Sequence, residues 1–252
     1  MIKKFELDLS SKITVFGIEL FRVKASISFG NVKEGELGGY IAKEGNLSHS
    51  GNAWVYGDAM VSGNAWVYGD AMVSGDAMVS GNAMVYGDAM VYGDAMVSGD
   101  AEVSGNAWVY GNAWVYGDAE VSGDAMVSGN ARVSGDARVY GNARVSGNAM
   151  VSGNAWVYGN AMVYGDAMVY GDAMVSGDAE VSKLNDHIVF KNSWSSGRYF
   201  TYTRSNQKWR VGCFYGTSEE LIKKAYQDSE DSGRHYEAYV NFVKTLEALD
   251  DK

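Results

Sequence analysis

The sequence predicts a mainly β protein: a parallel β-helix, a β cap before it and a small α+β domain after it. Three observations carry this. From Gly51 to Ser182 the chain repeats Gly-[Asn/Asp]-Ala-x-Val-[Ser/Tyr] through 22 hexapeptides with no insertion or deletion. Gly accounts for 32 of the 252 residues and Pro for none, so turns must be made by Gly, Asn and Asp, which tolerate positive φ. The rhythm stops at Lys183-Leu184-Asn185, where composition and periodicity change together.

Residues 1–50 read as an N-terminal β cap. Ile13-Thr14-Val15-Phe16 and Glu19-Leu20-Phe21-Arg22-Val23 are strand-like runs, punctuated by Gly17, Gly30, Gly35 and Gly38-Gly39. Gly45-Asn46-Leu47-Ser48-His49-Ser50 is a degenerate copy of the hexapeptide that follows.

Residues 51–182 are the repeat array. Within each unit Ala and Val stand two apart, so in an extended strand both point to one face and x points to the other. A strand this short cannot bury its face alone. Three sides closing into a triangular coil of 18 residues can, with small Ala and Val filling the narrow interior. The 22 units give about seven coils, a prism about 35 Å long at a rung spacing of about 4.8 Å. Periodicity is satisfied by either hand of coil.

Residues 183–252 form the α+β domain. His187–Phe190, Tyr199–Thr203 and Trp209–Phe214 read as strands, the last two joined by a hairpin turn at residues 204–208. Cys213 then falls in a strand and reads as a buried core residue. Thr217-Ser218-Glu219-Glu220 is a capping box that launches one helix, and a second follows Gly233.

The net charge of −10 is concentrated in the array, where 12 Asp, 3 Glu and 3 Arg give −12. Such a balance argues against nucleic-acid binding through phosphates and suits a basic protein partner. The Asp corners could also copy the phosphates of DNA, but Asn replaces Asp at 10 of 22 corners, which turn chemistry explains better. A single Cys and the lack of an N-terminal apolar run point to an intracellular, cytoplasmic protein, and no segment has the length of a membrane span.

The repeat, the preceding Gly35-Glu36-Leu37-Gly38-Gly39-Tyr40-Ile41 and the trailing Trp209-Arg210-Val211-Gly212-Cys213-Phe214-Tyr215-Gly216-Thr217 together resemble phage- and prophage-borne hexapeptide-repeat proteins. The resemblance implies a left-handed coil and a phage-encoded accessory protein acting in the host cell. By fold it extends to the hexapeptide acyltransferases, usually trimeric, whose catalytic His would be the mark of an enzyme. This chain departs from them: no loop interrupts the array, and His49, His187 and His235 all lie outside it.

Residues 18 apart should stack, which sorts the x positions into three ladders. The first runs from Trp54 to Glu180, the second from Met60 to Met168, and the third is Trp66, Met84, Glu102, Glu120, Arg138, Trp156 and Met174. Large apolar side chains pointing outward on every face call for cover, by a host protein or by self-association as a dimer or trimer. Packing of the Met and Trp on one another is the plainer alternative.

Charge enters the ladders midway, and there the candidate partner-binding residues lie. Asp100, Glu102, Asp118 and Glu120 read as carboxylates on neighbouring coils of the third face, which repel unless a cation or a basic partner is present. Arg138 follows them and could simply pair with Glu120, while the Asp side chains bond turn amides. Arg132 and Arg138 could stack on Trp114 and Trp156. No catalytic constellation, metal cluster or cofactor motif stands out, so the expected function is a non-enzymatic interaction scaffold.

Overall fold

The computed structural model describes residues 3–250. β1 (Phe5–Val15) and β2 (Ile18–Ala25) form an antiparallel hairpin that turns at Phe16 and Gly17, both at positive φ. β3 (Leu37–Ile41) pairs antiparallel with β2. Gly38 and Gly39, expected to break the chain, lie inside β3, where a Cβ on Gly38 would meet the Val55 carbonyl oxygen at 2.4 Å. Twenty-two short strands follow, from β4 (Trp54–Val55) to β25 (Glu180–Val181), one for each hexapeptide.

These strands pair in parallel with an 18-residue register, as Trp54↔Met72, Met60↔Met78 and Trp66↔Met84 show. Three ladders result, with the membership expected from the sequence. The solenoid also begins before the perfect repeat. Tyr40 and Ile41 of β3 lie beside Met60 and Val61, and Leu47 bridges Val67, so the prism has about eight turns rather than about seven.

Ala and Val of every unit are fully buried, and they form one continuous core with Phe5, Val23, Ile41 and Leu47. Gly at each corner takes a positive φ, from 62° to 75° along the array, which lets three short sides close.

Backbone groups left over at the two ends are met by side chains of opposite character. At the N-terminal end carbonyls face outward. The buried Lys4 Nζ donates to the Ala53 and Gly51 oxygens at 2.8 and 3.3 Å, and Asn46 Nδ2 donates to Ala65 and Gly63 at 2.7 and 3.2 Å. Amides need acceptors at the C-terminal end. Met174 N donates to Thr201 Oγ1 at 2.9 Å, Glu180 N to Ser205 Oγ at 2.7 Å and Ser182 N to Asp186 Oδ2 at 2.7 Å. Both caps serve the rule that buried backbone groups must be paired.

The C-terminal domain is an antiparallel sheet of β26 (His187–Lys191), β27 (Tyr199–Thr203), β28 (Lys208–Val211) and β29 (Phe214–Gly216), covered by α1 (Ser218–Asp228) and α2 (Glu230–Asp250). The run Trp209–Phe214 is not one strand: Gly212 at φ 57° turns the chain between β28 and β29. Cys213 shares that turn and is therefore exposed, not buried. Thr217 caps α1 as its sequence predicts. α2 starts ahead of Gly233, which lies inside it and whose lack of a Cβ leaves room for the Tyr226 ring. Among the described residues no helix is long and apolar enough to cross a membrane.

Candidate functional site

Sequence register carries the candidate residues into one patch that wraps a corner of the prism. Glu102, Glu120, Arg138 and Trp156 occupy successive rungs of one face. Trp114 and Arg132 are paired rungs of the neighbouring face. Asp100 and Asp118 sit in the turns between those faces, two residues before Glu102 and Glu120. The sequence reading placed the acids together on one face; the fold sets the two Asp at the edge it shares with the next.

Within the patch most charges are answered internally. Arg138 Nη2 lies 3.2 Å from Glu120 Oε1, both side chains nearly half exposed, and its guanidinium stands 5.5 Å above the Trp156 ring. Arg132 stacks on Trp114 at 5.4 Å. Glu102 accepts a hydrogen bond from Tyr86 Oη at 3.1 Å, so the two stacked glutamates have different neighbours. A half-exposed ion pair of this kind adds little stability. Its effect is to keep the guanidinium over the indole.

The corners follow a rule that sequence reading missed. Asn Nδ2 donates to the Asn or Asp Oδ1 one turn further along, as in Asn64 to Asn82 to Asp100, with 3.2 and 2.7 Å for the two bonds. Asn112, Asn130, Asn148 and Asp166 form a longer chain of the same kind. An amide both donates and accepts and so can sit inside such a chain; an ionised carboxylate only accepts and ends it. Asp side chains were expected on turn amides. Among the described residues of the array Asp70 does this, its Oδ1 accepting from Asn52 N at 3.0 Å and from Asn52 Nδ2 as well.

Outward x residues are more covered than the pattern implies. Trp54 is fully buried, because the N-terminal cap lays Phe5 and Phe29 against it with ring centroids 6.3 and 5.3 Å away. Trp66, Trp108, Trp114, Trp156, Met150 and Met168 do stand exposed. Sixth-position tyrosines stack rung on rung, as Tyr68 on Tyr86 at 4.8 Å and Tyr140 on Tyr158 at 4.9 Å. The sequence signal for those stacks was Tyr recurring 18 residues apart.

Each His has a local role. His49 stacks on Phe5 and lies 2.7 Å from a Glu44 oxygen; His187 is buried in the C-terminal sheet; His235 Nδ1 bonds the Asp231 carbonyl in α2. Among the described residues no three His, Cys, Asp or Glu gather as a metal site.

Comparison with known proteins agrees with this geometry. The search of curated proteins returned no match. Nine stretches between residues 53 and 170, from 53–69 to 155–170, match the family model described as YdcK Beta solenoid repeat. The similarity lies wholly within the array and leaves both caps outside it. On register, core and family match together, the chain is a repeat β-solenoid protein.

Proposed function

We propose that the chain is a non-enzymatic, rigid scaffold for protein binding, centred on the corner patch of Asp100, Glu102, Asp118, Glu120, Arg138, Trp156, Trp114 and Arg132. The observation that carries this is the pairing of exposed Trp with stacked Arg on rungs whose backbone is fixed by its neighbours. Aromatic and Arg side chains are the residue types that dominate binding energy at interfaces, and a preformed surface pays little ordering entropy. Resemblance to phage- and prophage-borne proteins supports a finer reading: a left-handed coil, and an accessory protein that binds or inhibits a host protein in the host cytoplasm. The exposed Met and Trp of the array also support self-association as a dimer or trimer.

Affinity capture from host lysate tests the reading. The wild-type chain should retain a host protein, and the Glu102→Gln/Glu120→Gln variant should lose at least about tenfold of it. Retention of the same protein by both chains would remove the patch, and retention of none by the wild type would remove the scaffold. Light scattering at high micromolar concentration checks self-association; a clean monomer rejects it.

A further inference from the structure

An apolar groove of about 370 Å³ opens where the β1–β2 hairpin overhangs the array, and it meets the corner patch at Trp114. The strands of the hairpin are 11 and 8 residues long whereas the rung they lead to, β5 (Met60–Val61), has two, so the tip projects past the prism. Val15, Phe16 and Ile18 make one wall, and Met60, Met78 and Met96 stand opposite. Serine at the sixth position of three rungs, from Ser62 to Ser98, leaves the floor low, and Trp114 with Tyr116 closes the far end. Four rungs span about 14 Å.

No charged residue lines the groove, yet acid borders it on both sides. Asp58, Asp76 and Asp94 stand two residues before the three methionines, and Asp100 and Asp118 two residues after Ser98 and Tyr116. Arg22 approaches Asp58 at 3.8 Å and Asn82 donates to Asp100. Asp76, Asp94 and Asp118 have neither a hydrogen-bond nor an ion-pair partner among the described residues, unlike the Asp corners that end Asn chains. An apolar slot with Asp along both borders, three of the five without a partner among the described residues, defines its complement.

We propose that this groove seats a short basic amphipathic segment of a partner protein, apolar side chains on the methionines and Lys or Arg against the two Asp rows. The inference rests on the scaffold reading and adds the chemistry of the partner. Four rungs accommodate about four extended residues or about nine helical ones. A fatty acid or another anionic amphiphile would bring its head group against carboxylates. Self-association through exposed Trp elsewhere on the array leaves this groove free, because a second copy seated here would set one acidic array against these Asp.

The test is fluorescence anisotropy with a short fluorescein-labelled peptide of alternating Leu and Lys, titrated with the full chain, and with Leu/Glu and Ser/Lys peptides as comparisons. Only Leu/Lys should bind. Met78→Arg/Met96→Arg should weaken it by at least about tenfold. That variant should fold, since Arg132, Arg138 and Arg144 occupy the same position of their own rungs, and an unchanged thermal melt verifies it. Asp76→Asn/Asp94→Asn/Asp118→Asn should weaken binding and flatten its salt dependence. Equal binding of the Leu/Glu or Ser/Lys peptide overturns the proposal, as does displacement of Leu/Lys by dodecanoate. So does a chain dimer that the arginine variant abolishes. Peptide binding lost in Glu102→Gln/Glu120→Gln but kept in the arginine variant overturns the groove while leaving the scaffold standing.

Discussion

His187 shows how a single residue at the array's end acquires a pH dependence. It opens β26 with its ring buried and Nδ1 unpartnered. Burial holds its pKa below the ordinary imidazole value, against a smaller opposing pull from Asp186. The unfolded chain protonates this ring at about pH 6.5, and the folded chain only at lower pH. Below that point the unfolded state binds more protons, so stability present above pH 6.5 is lost as pH falls. His187→Gln should therefore lose less of its urea midpoint than the wild type between about pH 7.5 and about pH 5.5. An equal loss in both would remove the ring from the account. Little of this was legible in the sequence, where His187 reads only as the start of a strand. The caps by Lys4, Asn46 and Thr201 were equally hidden, because each meets a backbone group far away along the chain. Burial lowers the Lys4 amine to about 8, the mark of a lysine spent on carbonyls rather than exposed to water.

Each rung divides its side chains between two kinds of work, and that division was fully legible. Ala-x-Val alternation fixes which residues go inside, and an uninterrupted period of six fixes what they stack on. Val109 is fully buried, whereas its neighbour Trp108 is 39% exposed. Val109→Ala should cost about 2 kcal/mol or more, through lost burial and a cavity that neighbouring rungs cannot fill. Trp108→Ala should cost less than about 1 kcal/mol despite removing more atoms. Urea denaturation of the two variants compares them, and a reversed order would mean that the outer ladders, not the Ala-Val core, hold the coil. Exposure at individual x positions was less legible. Trp54 has the same motif as Trp66 and a different fate, decided by Phe5 and Phe29 from the cap.

The whole molecule is nearly one-dimensional: each turn touches the turns before and after it, and the ends are closed by dedicated caps. Removing Gly105–Ser122, one turn, should therefore leave a cooperative fold whose maximum dimension is shorter by about 5 Å in solution scattering. Loss of cooperative unfolding would show that turns are not interchangeable. Removing only Gly105–Tyr110 should also fold, yet it sets Glu120 on a different face from Glu102 and should abolish binding by the corner patch. The groove escaped sequence reading for a related reason. It depends on the length of the hairpin relative to its rungs, a property of two distant segments taken together.

The Asn chains at the corners have a chemical consequence as the protein ages. Deamidation turns a side chain that both donates and accepts into one that only accepts. At Asn82 it would place a new carboxylate 2.7 Å from Asp100, at the border of the groove. At Asn64 the new carboxylate would be met by Lys43, whose Nζ already donates to the Asn64 Oδ1 at 2.7 Å. Equal damage at two matching corners is thus unequal in cost, and the corner nearest an acid is the one whose age the fold would feel first.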